Sequence, residues 1–397
     1  MAKQVFVVSA VRTPIGNFGG AFKSINAAEL AVPVMKAALE RSRLPQDGVG
    51  KVIFGNTLSP LNPNIARGAA ISAGIHPDTP SFSIHCACAS AMQAIISGAS
   101  ALLMGEAETA LVGGVESMTN APYVLPAARW GQRLQHAQAT DLLWWGMQED
   151  PIMGGMGRAA DFLAKEYGIS RQEQDELAAL SHQRALTAAT EGRFDTQLVP
   201  FEMKQRSGST MVLTDESPRT DATIEKLAGL RPAFSAEGTV TAGNASSLND
   251  GAAAMVLATG KACAAFGLTP LARLGPWSIK AREPRYTGVA PVPAIREVLK
   301  TAGLQLDAVD LVEVNEAFAS YYLATEQELG LNRKIVNVNG SGISLGHPVG
   351  ATGCRLVVTL LHEMIRRDVP WGLASLCAGG GMGYALALTR DFSLNTG

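Results

Sequence analysis

The sequence predicts an α/β protein in which strands buried on both faces alternate with helices. Two stretches show the alternation, one in the first 115 residues and one after Pro270. The 397-residue chain is 47% apolar and only 17% charged, which favours a large core. A chain of this size buries about three quarters of the surface that it exposes when unfolded.

In the first stretch the apolar segments are short, and one helical segment carries no charge. That uncharged helix, within residues 86–105, contains Ser90, Gln93 and Ser97, which are too polar for lipid. A helix buried in the core therefore explains it better than a membrane span. The predicted elements are strand 5–8, helix 27–41, strand 51–54, strand 82–86, the uncharged helix and strand 109–112.

Residues 120–246 differ in composition from the stretches on either side and predict an irregular insertion. Prolines, the pair Trp144 and Trp145 and a glycine-rich run interrupt any regular pattern there. One amphipathic helix is predicted over residues 171–191, with Ser170 as its N-cap and Glu173 three residues further on.

After Pro270 the alternation returns. A strand, a glycine-rich turn and a helix follow one another, much as they do between residues 82 and 105. This similarity is compatible with a duplicated half that has an insertion between the copies. The predicted elements are helix 295–301, strand 311–314, strand 334–338, helix 355–367 and strand 372–376.

Composition and charge argue against several classes of protein. A formal net charge of −2 offers no electrostatic basis for binding nucleic acid, and the apolar content excludes intrinsic disorder. The five cysteines are an odd number without a CxxC pair, which disfavours a disulfide framework and a structural zinc site. They favour a reducing cytoplasm. The apolar run near the N-terminus is too short for a signal peptide and predicts a strand.

Cys88 is the first candidate for chemistry. It lies where strand 82–86 passes into the uncharged helix, and the free N–H groups and dipole at a helix N-terminus favour a thiolate. The alternative is a small buried residue, which is what most free cysteines are. Cys86, two residues earlier, is interpreted as a packing residue.

Three further candidates lie in the C-terminal stretch. Cys377 precedes a glycine run beginning at Gly379, and glycines let N–H groups approach an oxyanion, although an ordinary strand end also fits. His347 can activate a cysteine because its pKa lies near neutrality, or it can be structural in its glycine-rich loop. Asn315 follows a strand and either holds a water or a carbonyl or caps a helix that starts at Glu316.

Other catalytic motifs are misplaced or absent. Residues 342–346 match the GxSxG elbow of α/β hydrolases, but the required order of serine, acid and histidine fails. After Ser344, His347 is too close and His362 precedes Asp368. The sequence contains no GxGxxG, GxxxxGK[ST] or HExxH segment, so Rossmann, P-loop and zincin hypotheses have no support.

Seven sequence blocks follow one another from the N-terminus to the end of the chain. They are VRTPIGNFGG (11–20), CASAMQAI (88–95), GGVESM (113–118), GTVTAGNASSLNDGAAA (238–254), NEAFA (315–319), NVNGSGISLGHPVGATG (337–353) and CAGGGMG (377–383). In this order and spacing they resemble the thiolase family, the acetyl-CoA acetyltransferases and 3-ketoacyl-CoA thiolases.

The resemblance implies the thiolase fold, in which two similar αβαβα halves form a five-layer core with an inserted loop domain. It implies an N-terminal half over residues 1–119 and 246–270, a loop domain over 120–245 and a C-terminal half over 271–397.

The resemblance also implies reversible Claisen condensation and thiolysis of coenzyme A thioesters through an acyl-cysteine. The family's nucleophile falls on Cys88, its activating histidine on His347 and its second cysteine, a general acid and base, on Cys377. One implied oxyanion site uses the backbone N–H groups of Cys88 and Gly379. The other uses His347 and a water held by Asn315.

Coenzyme A is implied as substrate and product, with no tightly bound cofactor and no metal. Arg219 and Ser246 are expected to contact it, and Phe234 and Phe318 to line its tunnel. Met156 stands where the family's loop domain contributes a methionine.

Four departures from the family pattern are expected to surround the acyl pocket or its base. We therefore predict a pocket altered from the acetoacetyl-CoA type, suited to longer or branched 3-ketoacyl chains. The departures are His85 in place of asparagine, Ala89 with Ala91 in place of glycines, Gly155 in place of histidine and Thr287 in place of methionine.

Residues 121–131 resemble the loop that pairs thiolase dimers into tetramers, so a homotetramer is expected, with a dimer as second choice. No nucleic acid or membrane partner is expected. A ketoacyl synthase is the alternative enzyme, but such enzymes carry histidine or asparagine where this chain has Cys377. A catalytically idle relative that binds acyl-CoA or a partner enzyme is the third hypothesis.

Overall fold

A computed structural model of the chain describes residues 3–132, 134, 136–149, 155–205 and 208–392. Within these residues the strands are β1 Val5–Arg12, β2 Gly16–Asn17, β3 Val52–Gly55, β4 Ser81–Ile84, β5 Thr109–Ser117, β6 Tyr123–Val124, β7 Thr140–Asp141, β8 Phe201–Gln205, β9 Gly208–Val212, β10 Asn249–Thr259, β11 Ala272–Ala281, β12 Leu311–Val314, β13 Trp371–Ala378 and β14 Met382–Thr389. The helices are α1 Ala27–Ser42, α2 Ile65–Ser72, α3 Ser90–Met104, α4 Leu142–Trp144, α5 Met156–Glu166, α6 Arg171–Thr190, α7 Ile224–Ala228, α8 Gly260–Phe266, α9 Pro291–Ala302, α10 Ala319–Leu329, α11 Gly342–Leu345 and α12 Thr352–Arg367.

Two mixed sheets form the centre of the fold. The N-terminal sheet has the strand order β1-β10-β5-β3-β4, and the C-terminal sheet has the order β11-β14-β13-β12. A short antiparallel pairing of β1 with β11 joins them, with Phe6 opposite Arg273. In each sheet three antiparallel strands are followed by a parallel one, β3 beside β5 and β12 beside β13. The sheets share order and direction, as a duplicated half requires.

Helices cover both sheets and fill the space between them. Helices α1 and α2 pack on the outer face of the N-terminal sheet, and α9 covers the outer face of the C-terminal sheet with α10 beside it. Helices α3 and α12 lie between the sheets and pack on each other and on strands of both. The layers run α, β, α, β, α, which confirms the predicted five-layer α/β core.

The uncharged helix α3 belongs to the central layer. By length and composition alone, residues Ala87–Met104 could cross a membrane. In the fold, Met92 and Ile95 are instead fully buried, and a Cβ on Gly98 would lie 2.4 Å from the Val112 side chain. The absence of charge follows from close packing on both sides, as expected for a core helix.

Most predicted elements lie where expected, and α6 begins as the sequence indicates. Ser170 accepts a hydrogen bond from the Glu173 N–H, and the Glu173 side chain accepts from the Ser170 N–H. This reciprocal capping box fixes the first turn of the helix.

The predicted strand 334–338 is wrong. Val336 forms an isolated parallel bridge with Val312, and the next residue, Asn337, has a φ of +48°. The Asn337 side chain accepts a hydrogen bond from the Val314 N–H and donates to the Val314 carbonyl, both at 2.8 Å. The side-chain amide of Asn337 therefore pairs with this edge of β12 in place of a further strand. The backbone can turn here because asparagine tolerates the left-handed region.

The insertion packs on both halves, and on the N-terminal side the Phe201 ring of β8 meets the Phe22 ring at 5.1 Å. Helices α5 and α6 contact α10, and α6 also contacts α11. Strand β10, which follows the insertion, returns to the centre of the N-terminal sheet. The domain boundaries at 119/120, 245/246 and 270/271 stay predictions.

Candidate active site

One largely apolar cavity of about 470 Å³ is lined by both halves and by the insertion. Among the predicted site residues, Asn315 does not line this cavity. Its side-chain nitrogen lies 3.5 Å from His347 Nε2. The predicted residues that line the cavity are Cys88, Met156, Arg219, Phe234, Ser246, Phe318, His347, Cys377 and Gly379. Groups that are widely separated in sequence thus meet in one place.

Cys88 lies on a tight turn between β4 and α3. Ala87 has a φ of +47°, which is unfavourable for a residue with a Cβ by about 1–2 kcal/mol. Ser90 holds the turn: its Oγ donates to the Ala87 carbonyl at 2.6 Å and accepts from the Cys86 N–H at 2.9 Å. The strained turn places Cys88 two residues before the first residue of the helix, as expected from the sequence.

The Cys88 thiol is protonated at rest. Burial raises its pKa to about 11, although hydrogen bonds from the backbone N–H groups of Gly379 and of Cys88 itself lower the pKa. These N–H groups act in the expected direction, toward the thiolate, but removal of water outweighs them and leaves the thiol as the resting form. The same two N–H groups are the donors predicted for one oxyanion site.

His347 is neutral, and its tautomer follows from its partners. The Thr352 hydroxyl donates to the Pro348 carbonyl at 3.0 Å, so its oxygen accepts from His347 Nδ1 at 2.6 Å. Nδ1 therefore carries the proton, and Nε2 is an acceptor that faces the Asn315 side-chain nitrogen at 3.5 Å. Burial, together with the charge of Arg355, lowers the His347 pKa to about 3. The imidazole is thus neutral at rest, Nε2 is the one atom at which it can accept a proton, and the lowered pKa makes it a weak base.

Asn315 does not cap a helix, because α10 begins only at Ala319. Its backbone N–H donates to the Ser375 carbonyl at 3.0 Å. Its Oδ1 accepts from the buried Arg355 guanidinium at 3.4 Å, which turns its Nδ2 toward His347. The cap hypothesis is therefore wrong, and the hypothesis that Asn315 holds a water or a carbonyl stays a prediction.

Cys377 lies at the end of β13 and leads into a turn of glycines. Burial raises the pKa of its thiol well above the usual range, and the negative charge that Cys88 can carry raises it further. Gly380 and Gly381 have φ values of +88° and +83°, a conformation that side chains disfavour. The turn returns the chain to β14 and leaves Gly379 on the cavity wall with Cys88, where its N–H lowers the pKa of that thiol.

The binding residues form the apolar wall of the cavity. The rings of Phe234 and Phe318 meet edge to face at 6.0 Å, and Tyr321 packs on Phe318 at 5.1 Å. Arg219 lines this cavity and also a second one of about 320 Å³, whose walls include Lys226. The polar second cavity therefore adjoins the apolar one that holds the thiols.

The four family departures do not surround the cavity as expected. Thr287 lines it, but His85 is exposed at the end of β4, and Ala89 and Ala91 are fully buried in the central helix layer. Gly155 is not a lining residue and instead precedes α5 with a φ of +91°. The expectation is wrong for His85, which is exposed after β4, and for Ala89 and Ala91, whose side chains lie in the helix layer between the sheets.

Sequence reasoning missed two residues that hold the site together. Thr352 sets the His347 tautomer, and its only signal was a hydroxyl five residues after the histidine. Glu116, within the GGVESM block, accepts hydrogen bonds from the N–H groups of Leu58 and Gly350. It therefore ties the loop after β3 to the loop that carries His347.

Of the five cysteines, Cys263 and Cys354 are buried in the core, and all five are free. Among the described residues, no group of three or more His, Cys, Asp or Glu side chains is arranged to hold a metal ion.

The pH dependence of Cys88 alkylation tests the resting state of the thiol. Because its pKa is about 11, the rate of modification by iodoacetamide should keep rising from about pH 7 to about pH 10. His347, whose pKa is about 3, stays neutral over that range. It therefore adds no second inflection to the plot of alkylation rate against pH. Peptide mapping by mass assigns the label to Cys88. A rate that levels off near neutral pH would instead indicate a resting thiolate–imidazolium pair.

Comparison with known proteins identifies the family. The family models "Thiolase, N-terminal domain" and "Thiolase, C-terminal domain" match residues 5–261 and 268–390. An acetyl-CoA acetyltransferase of Pseudomonas aeruginosa is 46% identical over 396 residues, covering 98% of this chain and 100% of that protein. The crystal structure of the Bacillus anthracis acetyl-CoA acetyltransferase matches with a TM-score of 0.96 at 47% identity, covering 98% of this chain and 99% of that one.

A human mitochondrial 3-ketoacyl-CoA thiolase, solved in complex with CoA, matches with a TM-score of 0.94 at 39% identity and covers 98% of this chain and 99% of that one. The matches span both halves and the insertion, and they confirm the predicted resemblance. The chain belongs to the thiolase family, whose general reaction is reversible Claisen condensation and thiolysis, and it is an acyltransferase of that kind.

Proposed function

We propose that this chain condenses and cleaves 3-ketoacyl-CoA thioesters, with Cys88 as the acyl-accepting nucleophile. One observation carries the proposal: Cys88, His347, Cys377 and Gly379, which are far apart in sequence, line one cavity, and the backbone N–H groups of Cys88 and Gly379 lower the pKa of the Cys88 thiol there. The cavity around that sulfur also contains a second thiol, Cys377, and the neutral His347. A nucleophile, a base and an oxyanion site therefore lie together.

In thiolysis, His347 Nε2 takes the Cys88 proton, and the thiolate attacks the 3-keto carbon. The oxyanion forms beside the N–H groups of Cys88 and Gly379. When it collapses, the carbon–carbon bond breaks and the enolate of acetyl-CoA leaves, taking a proton from Cys377. Preorganised donors stabilise both negative charges, and removing one such donor costs about 10²–10³ in rate.

The second half-reaction restores the enzyme. The Cys377 thiolate takes the proton of the incoming coenzyme A thiol, which then attacks the acyl-Cys88 carbonyl. The Cys88 thiolate leaves and regains its proton from His347. Condensation follows the same steps in reverse, so Cys377 then removes the α-proton of acetyl-CoA.

Coenzyme A is proposed to enter past Arg219 and to lie along Ser246, Phe234 and Phe318, with Met156 nearby. Arg219 and Lys226 at the second cavity suit its phosphates, with Lys226 also paired to Asp221 at 3.1 Å, and the apolar wall suits its pantetheine arm. The human relative solved with CoA, which aligns along nearly the whole chain, supports this assignment. Coenzyme A is proposed as substrate and product, without a tightly bound cofactor.

The acyl pocket is proposed to accept chains longer than acetoacetyl. Next to Cys88, the wall consists of Met118, Leu143, Met147 and Leu248, and all of these are apolar. Each methylene buried there contributes about 0.8 kcal/mol, or about fourfold in kcat/KM. Thr287, which is smaller than methionine, lines the same space.

A substrate panel tests this proposal. The wild-type kcat/KM for coenzyme A-dependent cleavage should be at least as high with 3-ketohexanoyl-CoA as with acetoacetyl-CoA. Leu143→Ala should raise the ratio of longer to shorter substrate further, by about fivefold, because it enlarges the pocket. Leu213→Ala, at a 54% exposed position in the same insertion, is the matched control and should leave the ratio unchanged. A strong wild-type preference for acetoacetyl-CoA would contradict the proposal.

A homotetramer is proposed as the assembly, with a dimer as second choice. Large apolar side chains are exposed along one segment: Tyr123 at 67%, Leu125 at 53%, Trp130 at 85% and Leu134 at 85%. Such a patch is typical of a surface that another subunit covers. A cytoplasmic location is also proposed, supported by the five free cysteines.

A further inference from the structure

Thr287 lies in the short helical segment Pro284–Val289 that precedes α9, and its side chain is almost fully buried at 1% exposure. It lines the cavity that holds Cys377 and Gly379. We propose that the Thr287 hydroxyl is a positioning group that fixes the glycine turn 379–381 and so aims the Gly379 N–H at the Cys88 sulfur. This inference rests on the proposed role of that N–H as an oxyanion donor.

The hydroxyl is fully engaged. Its oxygen accepts a hydrogen bond from the buried Gly381 N–H at 2.9 Å, and its proton goes to the Pro284 carbonyl at 2.6 Å. Because the bond to Pro284 fixes the hydroxyl proton, the oxygen faces Gly381 as an acceptor. The Gly381 carbonyl in turn accepts from the Arg282 N–H at 2.7 Å. The turn is thus held on both sides by the segment 282–287.

The glycine turn needs such support. Gly380 and Gly381 adopt left-handed backbone angles, and glycines have many alternative conformations of similar energy. The fit against the neighbouring segment is close, since a Cβ on Gly381 would lie 2.3 Å from the Arg282 carbonyl oxygen. The Thr287 hydroxyl is thus a side-chain contact that selects one conformation of this turn, whose first residue, Gly379, lines the cavity with Cys88.

Loss of the hydroxyl leaves the Gly381 N–H buried without an acceptor. A buried donor in that state is unfavourable, so the turn is expected to shift until the N–H finds another partner. Gly379 lies two residues away and moves with it. Oxyanion donors act through geometry fixed to within about half an ångström, so a small shift lowers the rate of the chemical steps. Binding of coenzyme A, through Arg219 and the phenylalanines, is largely unaffected.

Two matched pairs of variants test the inference. The first pair is wild type and Thr287→Val, which differ in the hydroxyl but hardly in shape. The second pair is Thr287→Ser and Thr287→Ala, which differ in the hydroxyl at a smaller side-chain size. We expect the hydroxyl-free member of each pair to lose about 10–100-fold in kcat, with KM changed by no more than about twofold. Thr287→Ser should retain kcat within about threefold of wild type. The single-turnover rate of Cys88 acetylation by acetyl-CoA, followed by intact mass, should fall in parallel with kcat.

The outcomes are distinguishable. If Thr287→Val has the same kcat as wild type, the side chain only fills space and the inference is wrong. The same conclusion follows if Thr287→Val and Thr287→Ser lose kcat equally. A loss confined to KM also overturns it. Should Thr287→Val fail to fold by circular dichroism, the Ser and Ala pair gives the same comparison. If wild-type protein itself is not acetylated on Cys88, the proposed function fails, which is a different result from equal rates in wild type and Val.

Discussion

Replacing Cys88 by alanine is expected to reduce thiolysis and condensation by about 10⁴-fold or more, because no other group can accept the acyl chain. The cavity contains one further thiol, Cys377, and its more strongly raised pKa makes it the poorer nucleophile at neutral pH. Coenzyme A-dependent cleavage of acetoacetyl-CoA measures the loss, and intact mass measures whether an acetyl group is transferred.

Cys263→Ala is the matched control, since Cys263 is also free and buried but lies in α8 on the far side of the N-terminal sheet. It should retain wild-type turnover. Substantial activity in Cys88→Ala would show that another residue accepts the acyl group. A wild-type chain that binds acetyl-CoA without ever acquiring an acetyl group would support the idle-relative hypothesis instead.

Replacing Cys377 by alanine should separate the two half-reactions. Acetylation of Cys88 needs His347 and the oxyanion donors, and the coenzyme A thiolate is a competent leaving group, so this step should slow by no more than about tenfold. Carbon–carbon bond formation needs a base for the α-proton of acetyl-CoA, so condensation should fall by about 10³-fold or more.

The experiment combines rapid quenching with intact mass. Cys377→Ala should accumulate the acetyl-enzyme from acetyl-CoA and then stall, whereas wild type should turn over. If condensation survives at a rate near that of wild type, Cys377 is not the base. If Cys88 is no longer acetylated at all, then Cys377 acts mainly in the transfer of the acyl group between coenzyme A and Cys88. Cys263→Ala again controls for loss of a buried thiol.

Much of the fold follows from local signals in the sequence. Short apolar segments locate β1, β3, β5 and β12, because strands buried on both faces are apolar throughout, and the Ser170–Glu173 pair marks the start of α6, because a capping box joins residues near in sequence. The failed strand at 334–338 shows the limit. There the side chain of Asn337 pairs with Val314, a contact between segments that no local pattern reveals.

The site was predictable in part, and mostly through the family resemblance. Sequence position alone placed Cys88 at a helix N-terminus, but it could not show that burial raises the thiol pKa to about 11. That balance depends on how many protein atoms surround the sulfur, which is fixed by the tertiary structure. For the same reason the Thr352 contact that sets the His347 tautomer, and the Thr287 contact with Gly381, emerged only from the packed chain.

The departures from the family pattern show that a substitution cannot be placed in a pocket from its motif alone. Ala89 and Ala91 are close to Cys88 in sequence, yet both side chains point into the helix layer between the sheets. Their neighbour Ser90 matters more for the nucleophile, because it fixes the strained Ala87 turn.

A crystal structure of the chain after reaction with acetyl-CoA tests the central claim most directly. We predict an acetyl group on the Cys88 sulfur, its oxygen within hydrogen-bond distance of the N–H groups of Cys88 and Gly379, and the Cys377 sulfur beside its methyl group. An acetyl group on any other residue, or one whose oxygen points away from both N–H groups, would contradict the account.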